Sequence, residues 1–143
     1  MRVRHVDRGS RLRVVITDAQ GRPVASGGLG RWLEQAAPRR ARGVVSVALV
    51  EDRVIRRLNR THRGKDATTD VLSFPGDGEY LGDILISSET AYDQSRKSST
   101  LSFESNVRRL VLHGLLHLMG YDHETDNGEM RTIERRLRRR FQC

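Results

Sequence analysis

Cysteine is almost absent: a single one, Cys143, stands at the last of 143 positions. No intrachain disulfide can form, so a disulfide scaffold is excluded, as are a CxxC redox pair and a zinc ribbon. Long apolar stretches are missing too. No segment approaches the roughly 18 consecutive apolar residues of a membrane span. The start of the chain, MRVRHVDRGSRLRVV, lacks the apolar core of a secretion leader. Together these absences predict a soluble, cytoplasmic protein. Internal repeats and low-complexity linkers are also lacking, which excludes a solenoid or a tethered array. Lysine is scarce: Lys65 and Lys97 are the only two among 26 basic residues, and the other 24 are arginine.

What is present begins with size and charge. A chain of 143 residues is expected to form one domain, residues 1–143, and to bury about two-thirds of its unfolded surface without staples. The composition, 36% hydrophobic and 31% charged, is polar, but the apolar residues cluster in runs, which argues against disorder. The formal charge is +8 and the isoelectric point about 10.9. Guanidinium forks match phosphate geometry, so such a surface suits a polyanion, nucleic acid first. The plainer alternative is a proteome that places arginine wherever a cation is tolerated.

Patterning along the chain predicts alternating elements. Arg11–Thr17 and the β-branched run Gly43–Val50 read as strands. A short helix around Trp32–Ala37 ends at Pro38, and Glu51–Thr61 is helical with acidic residues at its start. His62–Thr69 reads as a polar loop, followed by strands at Asp70–Phe74 and Tyr80–Ile86. Ser87 or Ser88 can cap the next helix, with Glu89 in its first turn. Phe103–Met119 is a long helix ended by Gly120, and Thr125–Phe141 is a last, arginine-loaded one. The order β-α-β-α-β-β-α-α-α predicts an α+β fold with a small mixed β-sheet and packed helices.

Three of the five histidines fall in one stretch, His113-Gly-Leu-Leu-His117-Leu-Met-Gly-Tyr-Asp-His123. His113 and His117 are i and i+4, about 40° apart around a helix, so they face the same way. After Gly120 the chain can turn and return His123 to the same point. Three neutral imidazoles leave a fourth tetrahedral position open, the layout of a catalytic rather than a structural zinc. The same helix is apolar around most of its circumference, except for a stripe of Asn106, Arg109, His113 and His117. Buried polar groups need partners, so the stripe argues for a site. The alternative is a pair of core histidines with backbone acceptors. Zinc peptidases share the H-x3-H-x5-H spacing, but they place a glutamate base directly after the first histidine. Here that position is Gly114.

The segment HGLLHLMGYDH at 113–123 closely resembles the HGxLHLxGYDH signature of the YbeY-type family of bacterial rRNA-maturation endoribonucleases. Leu58-Asn59, Arg63-Gly64-Lys65-Asp66, Thr69–Pro75 and Gly82-Asp83-Ile84 with Ile86-Ser87 match further family blocks in order. Met130 and Glu134 fit as well, and the resemblance covers about residues 45–135. His62 and Ala67-Thr68 depart from the family's usual residues. The resemblance implies an α+β metallohydrolase fold of zincin-like arrangement and one zinc per chain on His113, His117 and His123. It also implies a functional arginine at Arg63, cleavage of single-stranded RNA, and roles in small-subunit rRNA 3′-end maturation and ribosome quality control.

Arg63, read as a loop residue, could clamp a phosphate and balance transition-state charge. Its alternative is an ordinary solvated arginine. Asp70, Ser73, Asp83 and Asp122 are candidates for orienting a ligating imidazole or touching substrate; each could equally be a cap or turn residue. Arg135, Arg136, Arg138, Arg139 and Arg140 form either an RNA-steering patch or one solvated helix face. Two other functional classes stay open: a zinc hydrolase of peptides or small substrates, and a non-catalytic, ribosome-associated RNA-binding protein.

Overall fold

The computed structural model describes residues 11–25, 27–122 and 125–141. Along them run β1 (Arg13–Thr17), α1 (Leu29–Ala36), β2 (Val44–Val50), α2 (Asp52–Arg63), β3 (Val71–Pro75), β4 (Tyr80–Ser87), α3 (Ser88–Arg96), α4 (Phe103–Leu118) and α5 (Glu129–Phe141). The strands lie in the order β1-β2-β4-β3. β1 and β4 both pair parallel with β2, and β3 pairs antiparallel with β4. This is the mixed sheet and α+β class that the pattern of elements predicts.

Alternation along the strands splits the core in two. Val45, Val47, Ile84 and Ile86 turn toward Val107, Leu110, Val111 and Leu115 of α4 and Leu33 of α1. Ala48, Val50 and Leu72 turn the other way, onto Ile55 of α2. α4 can lie on the sheet because it is apolar on nearly every side; Leu110, Val111, Leu112, Leu115 and Leu116 are all buried. Its start is set by Ser102, whose hydroxyl accepts from the Ser105 amide at 3.1 Å. Its end is closed by Gly120 at φ 101°, with the Tyr121 amide donating to the Leu116 carbonyl. That left-handed turn favours glycine and stops the helix. Among the described residues, no helix is long and apolar enough to cross a membrane.

Two boundaries differ from the sequence reading, and both bear on function. α2 continues through His62 and Arg63 and ends at Gly64, φ 70°. Arg63 is therefore the last helical residue, not a loop residue, and the loop is only Gly64–Asp70. Basic Arg60, His62 and Arg63 in the last turn favour this longer helix, because cations complement the negative end of its dipole. The last helix starts at Glu129 rather than Thr125. The Asp126 carboxylate accepts from the amides of Gly128 and Met130, which holds the preceding segment in a turn.

Candidate active site in the paired-histidine cleft

α4 presents His113 and His117 on one side, one turn apart, with ring centroids 4.8 Å apart. Both line an open cleft of about 860 Å³. Asn59, His62 and Arg63 from the end of α2, Lys65 and Thr68–Asp70 from the loop that follows, and Asp122 after α4 line the same cleft. His123 lies outside the described residues. Among the described residues, no group of three histidine, cysteine or acidic side chains is placed to hold a metal ion.

The polar stripe on α4 is satisfied as a unit. Asn106 is fully buried; its amide donates to the Ala91 carbonyl and to Gln94, and its oxygen accepts from Arg109. Further along, His113 Nδ1 lies 3.0 Å from Glu134 Oε2 of α5. Burial pushes the Glu134 carboxyl up, but the hydrogen bond and charge of His113, with Arg138 and Arg109 nearby, outweigh it and hold it below the ordinary range. A carboxylate on Nδ1 fixes the ring and leaves Nε2 as the ligating atom, the usual arrangement behind a metal-bound histidine. Two imidazoles on one helix face, one of them braced by a carboxylate, fit a zinc ion.

Glu134, the carboxylate on His113 Nδ1, is the partner that sequence reasoning missed. It matches a family block, but the candidates for that role are Asp70, Ser73, Asp83 and Asp122. A signal exists: Glu134 lies on the inward stripe of α5 between fully buried Met130 and Leu137, which packs on the core. An acidic residue on a buried stripe needs a partner.

The four candidates separate. Asp122, Asp70 and Ser73 line the cleft. Asp70 accepts from Gln94 Nε2 at 3.2 Å, and Ser73 donates to the Gly114 carbonyl at 3.0 Å, tying β3 to α4. Asp83 is elsewhere. It follows the opposite face of β4 from Ile84, and its carboxylate accepts from Ser46 and Tyr80 in a separate depression. It is not placed to orient a cleft histidine, because one step along a strand reverses the side chain.

Arg63 and Lys65 line the same cleft as the histidines. The loop that carries Lys65 is pinned to α2. Asn59 is buried and its amide donates to the Ala67 carbonyl at 2.8 Å. Asp66 pairs with Arg56 at 2.8 Å, and that hydrogen bond and charge hold its carboxyl below the ordinary range. Of the arginines on α5, Arg138 is half-buried, with its Nε enclosed and unpaired, whereas Arg135, Arg136, Arg139 and Arg140 are exposed.

Gly114 has a physical reason to be glycine. A Cβ there would meet Ile84 Cγ2 at 2.8 Å and Ser73 Oγ at 3.0 Å. α4 sits so close to β3 and β4 that any side chain after His113 would have to displace Ile84 or Ser73. A glutamate base at that position is therefore absent from the sequence and disfavoured by the packing.

The fold and cleft define an α+β enzyme domain whose site pairs histidines with cations suited to an anionic substrate. A family model described as "Endoribonuclease YbeY" matches residues 28–142, and the chain belongs to that family. Among similar proteins carrying that description, one from Aquifex aeolicus is 41% identical over 124 residues, 80% of this chain and 81% of that one. One from Nautilia profundicola is 48% identical over 96 residues, 65% and 68% of the two chains. A solution structure of a Thermotoga maritima protein superposes with a TM-score of 0.60 at 28% identity, over 91% of this chain and 88% of that one.

Proposed function

We propose that this chain is a zinc-dependent, single-strand-specific endoribonuclease that acts in the cytoplasm on ribosomal RNA, in small-subunit 3′-end maturation and ribosome quality control. The observation that carries this reading is the cleft itself. It joins His113, braced by Glu134, and His117 to Arg63 and Lys65 across one opening. Membership in a family described as an endoribonuclease supplies the substrate class. The zincin-like arrangement is part of the proposal: a helix bearing the paired histidines packs on one face of a mixed sheet.

His113 and His117, with His123, would hold one zinc per chain. Such an ion acidifies a bound water and polarises a phosphoryl oxygen. The protein's own groups do the rest. Glu134 keeps the His113 tautomer by accepting a hydrogen bond from Nδ1–H. Arg63, at the helix end, can grip two phosphate oxygens at once and offset charge that builds on them. Lys65 adds a second cation, and the hydrogen bond from Asn59 to Ala67 keeps its loop in place. RNA and the ribosome are the partners this chemistry proposes.

The peptidase alternative needs a base where this chain has Gly114, closely packed on Ile84 and Ser73. The non-catalytic alternative predicts binding without cleavage. One experiment separates all three: purified protein incubated with labelled single-stranded RNA and with casein, each with and without a chelator. Chelator-sensitive RNA cleavage with intact casein is expected. Casein cleavage, or RNA bound but uncut, overturns the reading.

A further inference from the structure

We propose that His62, backed by Phe74, forms a stacking subsite for an unpaired base of the substrate strand, next to the cleft; this rests on the reading of the chain as an enzyme of RNA. Three observations carry it. The two rings meet edge to face, centroids 5.2 Å apart and planes inclined by 62°. Phe74 is a fixed partner, because it packs against the cluster of Ile55 and Leu72, whereas His62 is exposed. The pair is therefore an anchored aromatic surface open to solvent.

The second observation is position. His62 and Phe74 line both the histidine cleft and a separate depression of about 620 Å³ on the α2 side of the sheet. They form the saddle between the two, over the edge strand β3. A strand leaving the cleft in this direction crosses the two rings.

The third is charge. The cleft side carries Arg63 and Lys65 along with Asp70 and Asp122; the far depression is lined by Asp83 and by Asp18, which is paired with Arg22, and, among the described residues, by no lysine or arginine. Of the two hollows, only the cleft is lined, among the described residues, by cationic donors for a phosphate, Arg63 and Lys65. A nucleotide on the saddle is thus oriented with its phosphate toward Arg63 and its base toward the rings. Stacking on a ring suits any base, since each has a π face, so the subsite tolerates sequence but demands an unpaired strand.

The test uses the full chain with short single-stranded RNAs that carry 2-aminopurine at successive positions, read by stopped flow before cleavage proceeds. Wild type and His62→Phe are expected to quench the probe at one position. His62→Ala and His62→Gln, whose folding is checked by circular dichroism, should lose that quenching and bind about 5- to 150-fold more weakly. An abasic residue at the same position should weaken wild type equally and His62→Ala no further. Position-specific quenching that survives in His62→Ala, full affinity in His62→Gln, or penalties from the abasic site and His62→Ala that add in full would each overturn the subsite. If wild type stacks the probe yet never cuts RNA, the proposed nuclease activity falls and the subsite stands. Cutting with no contribution from His62 gives the reverse, and wild type that binds no RNA overturns both.

Discussion

His113 Nδ1 and Glu134 Oε2, 3.0 Å apart, join α4 to α5 across 21 positions of sequence. The bond ties the orientation of a candidate zinc ligand to the docking of the arginine-rich last helix. Its effect should appear in metal affinity before it appears in stability. Glu134→Ala is expected to weaken zinc binding about 10- to 100-fold. Glu134→Gln, which keeps an acceptor and loses the charge, should fall between. Competition against a chromophoric chelator measures this, and equal affinity in all three proteins would show that the bond does not orient the ligand.

Zinc stoichiometry tests the histidines directly. Elemental analysis of metal-replete protein should find about one zinc per chain, with His113→Ala, His117→Ala and His123→Ala each losing it. Protons compete with metal for imidazole, so occupancy should fall as pH drops below about 6. Full occupancy in His117→Ala would remove the site as assigned.

Arg63 separates chemistry from metal binding, because a guanidinium is not a zinc ligand. Its position as the last residue of α2, rather than inside a loop, makes Arg63→Ala compatible with the fold. The expected loss in cleavage at saturating RNA is about 10²- to 10³-fold, with zinc retained. Arg63→Lys keeps the charge without the fork and should recover part of the rate. A wild-type rate in Arg63→Ala makes it an ordinary surface cation. Loss of zinc would make it support for the metal site.

Gly114→Ala tests how closely α4 approaches the sheet. The added methyl meets Ile84 and Ser73 at 2.8 and 3.0 Å, and Ile84 offers a short, branched side chain that cannot swing away. Overpacking of this kind costs about 1–3 kcal/mol, against up to about 1 kcal/mol gained in helix propensity. Thermal melting should therefore show a net loss, larger still for Gly114→Glu. A stabilised Gly114→Ala protein would mean that the helix can lift off the strands at no cost.

The arginines of α5 need to be tested in two groups. Replacing Arg135, Arg136, Arg139 and Arg140 by alanine should flatten the salt dependence of RNA binding if the exposed face steers substrate. The slope should drop by about 0.7 for each phosphate that the face no longer neutralises. Arg138 is left intact, since it is half-buried near Glu134 and its removal would confuse packing with binding. An unchanged slope assigns that face to solvation.

Much of this site is legible in sequence because it is local. The i, i+4 spacing of His113 and His117 fixes a shared helix face whatever the rest of the chain does, and Gly120 announces the turn that follows. The strand runs and the serine cap at Ser87 are equally local, since each depends on a few neighbouring residues. The boundary at Arg63 is less so. It turns on whether a polar segment continues a helix or leaves it, and the dipole and Gly64 together tip that balance. Asp83 and Glu134 show the remainder. Both are acidic residues in family-like blocks, yet one faces away from the cleft and the other reaches into the histidine pair. What separates them is the β1-β2-β4-β3 strand order and the docking of α5 on the core. Residue spacing along a chain determines which side chains share a face of one element. Which faces meet is decided only when the elements pack, because that choice depends on the burial of all of them at once.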